Sequence, residues 1–282
     1  PGIALYKMIA VGEQRLQHRC VAHHALPPAQ DVVEPGERHE VLVVELVVVA
    51  DRAEARKWYE RARELSRQVD DPSRVIPVLI GMSAHHMVAG DIRIAHDISL
   101  EMMALFERLG DPHLQMIGEW SVGAALFHLG ALEAGHQHLE KGLTLYDPAF
   151  HGARVWQTGI EPGIFCRCEL SRTTTLRGFP DSGLAMVREA VAAAGALDHP
   201  QPRAFALLFE MFVHLARRAP REVQRAYEQL AVVCHAHGIA QELYWAAPLV
   251  GRAFIELGDL PRGLRVLEEG LAAHTSTRSA LI

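Results

Sequence analysis

From Asp51 onward, apolar residues recur at the spacing of an α-helix. In the last such segment the steps are four, three and four residues, which places four leucines on one helical face: Leu260, Leu264, Leu267 and Leu271. Related steps occur in two earlier segments, at Val223, Tyr227, Leu230 and Cys234 and at Phe205, Leu208, Phe212 and Leu215. This pattern predicts a succession of amphipathic helices joined by short turns. The predicted helices span about 53–69, 72–88, 92–109, 112–129, 131–145, 162–177, 180–196, 201–218, 220–237, 240–257 and 260–273.

The residues that begin and end these helices repeat along the chain. Prolines at helix starts, Asp-Pro dipeptides and glycines at helix ends each recur with a period of about 40 residues. They are Pro180, Pro220 and Pro261; Asp71-Pro72 and Asp111-Pro112; and Gly90 and Gly130. Helix pairs that repeat with such a period stack into an α-solenoid. The sequence therefore predicts an all-α solenoid of antiparallel helix pairs over residues 51–282, with a period of about 40 residues.

Small residues recur seven positions apart in the second helix of three units. They are Gly135 and Gly142, Gly183 and Ala190, and Gly263 and Gly270. Residues two turns apart lie on one stripe of a helix, and a neighbouring helix approaches closely where the stripe has no bulky side chain. We expect these stripes to mark tight contacts between helices.

Residues 1–50 have a different pattern and form an irregular N-terminal segment in this interpretation. They contain the break at Leu26-Pro27-Pro28, a turn-like Glu34-Pro35-Gly36, and a valine-rich stretch at 41–49. Valine favours extended backbone, but no second strand of similar strength follows, and an isolated strand is not stable. The stretch is either poorly packed or belongs to a segment whose partner lies outside the chain.

The amino-acid composition excludes several classes of protein. The 282 residues are 49% hydrophobic and 22% charged with a net charge of -6, which excludes a disordered chain and argues against a surface that binds nucleic acid. Four cysteines are too few for a disulfide scaffold. The longest apolar run, 41–50, is interrupted by Glu45 and is half as long as the ~20 residues that span a bilayer. We expect a soluble, cytoplasmic protein without a membrane or direct nucleic-acid partner.

Two resemblances to known families follow from these features. The small-residue stripe, the Leu-Gly before a turn (Leu129-Gly130 and Leu257-Gly258) and the proline-led second helix resemble tetratricopeptide (TPR) units. The segments 139–148, 159–166 and 178–184, with His199-Pro200, resemble the TPR-like C-terminal region of bacterial multidomain signalling proteins that carry a STAND- or AAA-type ATPase module and an adenylate- or guanylate-cyclase-like domain. The resemblance implies a helical region of a larger bacterial signalling protein.

The sequence has none of the motifs that the enzymatic parts of such proteins need. It contains no G-x-x-x-x-G-K-[ST] phosphate loop and no G-x-G-x-x-G after a strand, and it lacks the G-x-S-x-G turn of a serine hydrolase. We therefore predict a non-catalytic sensor or scaffold whose partner is a protein, a peptide or another domain of the parent chain. The alternatives are the helical sensor of a STAND-type transcription activator and, less favoured, a small-molecule-binding or hydrolase domain.

Cysteine and histidine pairs do not have metal-site spacing. Cys166 and Cys168 are two positions apart on a predicted helix and point to nearly opposite sides, as do His136 and His138. We expect Cys166 to lie in the core, Cys168 to have no particular role, and most of the 17 histidines to be solvated or packed. The prediction is a protein without a metal or cofactor.

The candidate binding residues fall into two groups. One group lies in an insertion at 147–162, which makes one period longer than the others: His151, Arg154, Trp156 and Glu161. A long loop with a tryptophan and charged neighbours is typical of a partner anchor, although Trp156 covering a wider gap in the solenoid explains it equally well. The second group is expected on the concave surface, lined mainly by the first helices of the pairs: Glu119, Arg172, Glu210, Glu242 and Tyr244.

Overall fold

A computed structural model describes residues 75–147, 161–197 and 199–277, and these residues form ten helices without a β-strand. The helices are α1 (Ile76–Ala89), α2 (Ile92–Leu109), α3 (Pro112–His128), α4 (Leu132–Thr144), α5 (Pro162–Leu176), α6 (Pro180–Ala196), α7 (Pro200–Ala216), α8 (Pro220–His237), α9 (Gln241–Glu256) and α10 (Leu260–Thr277). The valine-rich stretch at 41–49 and the predicted helix at 53–69 lie outside the described residues.

The ten helices form five antiparallel pairs, in which each helix packs against the next one along the chain: α1 with α2, α3 with α4, α5 with α6, α7 with α8, and α9 with α10. Each pair also packs against its neighbours, so the apolar core runs continuously along the stack. The predicted all-α, TPR-like solenoid is therefore confirmed. The ten predicted helices from 72 onward occur in the predicted order, with ends that differ by four residues at most.

The turn inside each pair has one geometry that repeats in all five described pairs. In each turn, one carbonyl in the last turn of the first helix accepts a hydrogen bond from the backbone N–H five residues later, which is a 6→1 bond. Examples are Asp91 N–H to His86 O at 2.9 Å and Asp259 N–H to Phe254 O at 2.9 Å. The residue before each donor is left-handed: Gly90, Gly130, Gly178, Arg218 and Gly258. Arg218, with φ of 56°, adopts the conformation for which the other four turns use glycine. The glycine period found in the sequence therefore reflects a backbone requirement of the repeat.

Small residues let the two helices of a pair cross closely, as predicted. A Cβ atom at Gly135 would lie 2.9 Å from the Gly123 carbonyl oxygen, and one at Gly263 would lie 2.7 Å from the Gly251 carbonyl oxygen. In α6 a Cβ atom at Gly183 would lie 2.7 Å from the carbonyl oxygen of Ser171 in α5. Since these neighbours are backbone atoms, they cannot rotate away, and the glycines set the distance between the helices.

None of the helices in the described part of the chain has both the length and the apolar character needed to cross a membrane.

Candidate functional site

The first helices of the last four described pairs, α3, α5, α7 and α9, form a continuous inner layer. Helices α3, α5, α7 and α9 each pack against the first helix of a neighbouring pair as well as against their own partner. The second helices of the described pairs do not pack extensively on one another. The first helices therefore lie on the side of the stack where neighbouring pairs are joined most extensively. We call this side the inner face.

Aromatic rings stack along the inner layer across three pairs. The ring of Trp120 in α3 meets that of Phe165 in α5 edge to face, with centroids 5.2 Å apart. Phe165 stacks on Phe205 of α7 at 4.1 Å, and Phe205 lies 4.6 Å from Phe209 one turn later. Aromatic pairs at such separations attract one another. The result is an aromatic stack that ties α3, α5 and α7 together.

Arg172 lies beside this stack, surrounded by rings from two other helices. Its guanidinium carbon is 3.6 Å from the ring centroid of Phe127 in α3. On the α7 side it is 5.1 Å from the centroid of Phe209 and 5.7 Å from that of Phe212. Cations within about 6 Å of a ring centroid are attracted by the ring quadrupole. Arg172, a candidate from the sequence, is thus a caged cation in the inner layer.

The carboxylate that balances Arg172 comes from its own helix. Arg172 Nη2 donates to Glu169 Oε2, and the exposed fractions of the two side chains are 11% and 8%. Burial raises the pKa of Glu169, while the Arg172 guanidinium opposes the rise. Arg172 Nη2 also lies 3.5 Å from His128 Nε2. Partial burial and the positive charge of Arg172 lower the pKa of His128 to about 4, so its ring is neutral at neutral pH.

Helix α5 is buried on almost every side, because it packs against α3, α4, α6 and α7. Three of its hydroxyl groups donate hydrogen bonds within the helix. Ser171 Oγ donates to the Cys168 carbonyl at 2.6 Å, Thr173 Oγ1 to the Glu169 carbonyl at 2.8 Å, and Thr175 Oγ1 to the Ser171 carbonyl at 2.7 Å. The Ser-Thr-rich sequence of this helix is therefore compatible with a position at the centre of the stack.

The insertion candidates are mostly outside the described residues, which include neither His151, Arg154 nor Trp156. Glu161 is described and caps α5, where its Oε2 accepts a hydrogen bond from Ile164 N–H at 2.6 Å. Glu161 is 1% exposed. Burial and the nearby Glu161 carboxylate raise the pKa of Tyr146 to about 12. Glu161 thus fixes the start of the helix that carries Arg172.

Glu119, expected on the concave surface, is instead buried between α3 and α4. Its carboxylate is 2.7 Å from His138 Nδ1 and 2.5 Å from Lys141 Nζ, and its side chain is 3% exposed. The hydrogen bond to Glu119 raises the pKa of Lys141. These contacts join the two helices of one pair.

The remaining sequence candidates occupy α7 and α9. Glu210 Oε1 lies 3.7 Å from His214 Nε2 on the same helix. Glu242, expected on the concave surface, is instead buried, and its Oε1 accepts a hydrogen bond from Gln201 Nε2 at 2.5 Å. Burial raises the pKa of Glu242. Tyr244 is half-buried two positions later.

Arg172, expected on the concave surface, is only 11% exposed, and the sequence does not predict the residues around it. These are Phe127, His128, Glu169, Phe209 and Phe212, with Trp120, Phe165 and Phe205 in the stack. The sequence does contain one indication of the aromatic stack, which is that Phe165 and Phe205 are one period apart. Equivalent positions of neighbouring repeats lie next to each other in a solenoid, so an aromatic residue repeated at the period predicts a stacked pair.

The cysteines of α5 differ from the expectation in one respect. Cys166 is in the core as predicted, but Cys168 is also 0% exposed, because α5 is covered on both sides. Burial raises the pKa of both thiols. Among the described residues, no three His, Cys, Asp or Glu side chains are grouped so that they could hold a metal ion.

Comparison with known proteins identifies the fold and leaves the family open. No family model matches the chain. An uncharacterized protein of Rhizobium meliloti is 28% identical over 95 residues, which are 33% of this chain and 9% of that protein. The chain therefore matches less than a tenth of the length of this relative.

Solved structures share the architecture at low sequence identity. The Rap protein complexed with Competence and Sporulation Factor aligns with a TM-score of 0.68 at 10% identity, over 98% of this chain and 76% of Rap. NprR in complex with its cognate peptide NprX aligns with a TM-score of 0.59 at 12% identity, over 96% of this chain and 77% of NprR. BtubC from P. vanneervenii aligns with a TM-score of 0.54 at 16% identity, over 81% and 91% of the two chains. What they share with this chain is the fold.

Proposed function

We propose that the inner face binds a peptide or an extended protein segment, and that the chain is a non-catalytic sensor or scaffold. The observation that carries this proposal is the partly exposed set of rings around Arg172: Trp120, Phe127 and Phe212 are half-buried, whereas Phe165, Phe205 and Phe209 of the stack are buried in the core. Aromatic residues and arginine dominate the energetics of protein interfaces. The shared fold of NprR, which was solved with its cognate peptide, supports a peptide as the ligand.

Phe212 provides a test of this face, because it is half-buried and its ring lies beside Arg172. Peptides are selected from a random library by their binding to the purified chain, and the Kd of the best one is measured by fluorescence anisotropy. We expect Phe212→Ala to weaken binding at least about ten-fold, the loss typical of a central aromatic contact.

Phe179→Ala is the matched control, since Phe179 is 58% exposed and precedes α6 outside the inner layer. It is expected to leave the Kd unchanged. Equal affinities for both variants, or a loss confined to Phe179→Ala, would place the peptide elsewhere on the molecule and refute the proposal.

The insertion at 147–162 is included in the proposal as a second contact region. It connects α4 to α5, and α5 carries Arg172. The proposed contact residues there are His151, Arg154 and Trp156, with Glu161 as the helix cap that positions α5.

We further propose that the chain is one region of a longer bacterial signalling protein that acts in the cytoplasm. The Rhizobium relative supports this, because the matched segment is only 9% of it and the relative is therefore several times longer than this chain. A cyclase- or ATPase-linked output rests on the sequence resemblance alone. The neighbouring coding sequence tests it: a phosphate loop or a cyclase core there is expected, and a DNA-binding domain would favour a STAND-type transcription activator instead.

A further inference from the structure

The inner face around Arg172 is apolar where it is open to solvent. Phe127 of α3 and Phe212 of α7 come from the two first helices that flank α5, and both are half-buried, so part of each ring remains accessible beside the guanidinium. Leu176 follows Arg172 by one turn on the same side of α5 and is 47% exposed. We call Phe127, Leu176 and Phe212 the apolar patch.

The charge of Arg172 is already balanced within the protein. Its side chain is 11% exposed, and Nη2 donates to Glu169 Oε2, while Nε is buried as well. A ligand carboxylate at Nη2 would displace Glu169, which is 8% exposed, and a buried carboxylate without a cation is costly. His128 lies 3.5 Å from the same Nη2 and adds no charge at neutral pH, because burial and Arg172 lower its pKa to about 4.

The arginines beside the apolar patch have acidic partners too. Arg177 and Arg217 are the C-caps of α5 and α7. Arg177 Nη2 lies 2.6 Å from Glu133 Oε2 of α4, and Arg217 Nη1 donates to Asp181 Oδ1 of α6. The positive charges near the patch are therefore matched by carboxylates of the same chain. Such a surface is complementary to an uncharged ligand group and not to an acidic one.

We propose that the apolar patch binds a hydrophobic side chain of the peptide, such as a leucine or an aromatic residue, in preference to an acidic side chain. This inference rests on the proposed function, because it names the chemistry of the ligand at the inner face. A hydrophobic side chain would bury the accessible parts of two rings and a leucine, which is favourable. An acidic side chain would lose its water there without gaining an unpaired cation.

Leu176→Lys in the full chain separates the two chemistries. The probe is the best peptide selected from the random library, and its Kd is measured by fluorescence anisotropy. Leu176→Lys is expected to weaken binding at least about ten-fold, because it adds a charge to an apolar contact. An acidic side chain at the patch would instead be bound more tightly by the added cation. Leu176→Met keeps the position apolar and is expected to bind as the wild type does.

Leu109→Lys is the matched control, since Leu109 is 41% exposed at the end of the second helix α2. It is expected to leave the Kd unchanged. Circular dichroism establishes that all variants remain helical.

Substitutions in the peptide give a second readout. Each acidic residue is replaced with its amide and each hydrophobic residue with alanine, one at a time. The largest loss of affinity is expected at a hydrophobic residue, and that loss should be smaller in the Leu176→Lys chain, because residues in contact are not additive.

Two groups of results would overturn the inference. Unchanged or stronger binding by Leu176→Lys, or a largest loss at an acidic residue of the peptide, excludes a hydrophobic side chain at the patch. If Phe212→Ala still weakens binding in that case, the peptide lies on the inner face and the proposed function stands. If Phe212→Ala and Leu176→Lys both leave the Kd unchanged, the proposed function fails together with this inference.

Discussion

Replacing Arg172 with alanine is expected to lower the free energy of unfolding by about 3–5 kcal/mol, the loss typical of a broken buried ion pair. The reason is that Glu169, whose side chain is 8% exposed, loses the cation that balances it. The substitution also removes the contacts of the guanidinium with Phe127 and Phe209. Urea unfolding followed by circular dichroism measures the difference.

The loss should depend on pH in a definite direction. Burial already raises the pKa of Glu169 when Arg172 is present, and removing the cation raises it further. In the variant, the folded state therefore binds a proton that the unfolded state releases, and its stability falls as pH rises through this range. The deficit relative to the wild type should be smaller in mildly acidic buffer than in mildly alkaline buffer.

Arg225→Ala provides the matched control, because Arg225 forms an ion pair with Glu222 at the same three-residue spacing on the surface of α8. Arg225 is 68% exposed, and an exposed pair contributes about 1 kcal/mol at most. A second variant, Glu169→Gln combined with Arg172→Ala, should recover part of the lost stability. If Arg172→Ala is no more destabilising than Arg225→Ala, the cage around Arg172 does not stabilise the fold.

Gly183→Val is expected to force α5 and α6 apart and to destabilise the protein by about 1–3 kcal/mol or more, as overpacking does in well-packed cores. Even a single Cβ atom there would lie 2.7 Å from the Ser171 carbonyl oxygen and would overlap Thr175 Oγ1. Because Ser171 belongs to the central helix α5, the displacement is expected to disturb the stack around Arg172 as well. Urea unfolding and peptide affinity are measured together.

Gly195→Ala, which like Gly183→Val lies in α6, tests whether every substitution of a glycine in this helix destabilises the protein. A Cβ atom at Gly195 would meet no atom within 4 Å. Alanine favours helix over glycine by up to about 1 kcal/mol, so this variant should be as stable as the wild type or slightly more stable. Equal destabilisation by both substitutions would contradict the close crossing of α5 and α6.

The periodic elements of the fold were predictable from the sequence because each has a local cause. A left-handed turn selects glycine, as at Gly90 and Gly130, and a helix start tolerates proline, as at Pro180 and Pro220. Because the structural unit repeats, these glycines and prolines recur in the sequence with the same period. Where another residue adopts the same conformation, as Arg218 does, the marker disappears from the sequence although the turn remains.

The candidate site was less predictable because it depends on contacts between helices. The sequence suggested an inner-face role for Glu119, but its partners His138 and Lys141 lie on the next helix, α4. Helical periodicity relates residues within one helix and does not identify the neighbour of each face. In α5 the hydrophobic periodicity itself is weak, because a helix that is buried on nearly all sides has no polar face to mark its orientation.

The position of a bound peptide tests the central claim most directly. Leu176 lies one turn after Arg172 on the same side of α5 and is 47% exposed, whereas Val232 is 71% exposed on the second helix α8. A photoreactive amino acid is introduced at one position or the other, and the selected peptide is cross-linked to the full chain and located by mass spectrometry. Binding on the inner face predicts cross-links from position 176 and none from position 232. Cross-links from position 232 alone would contradict it.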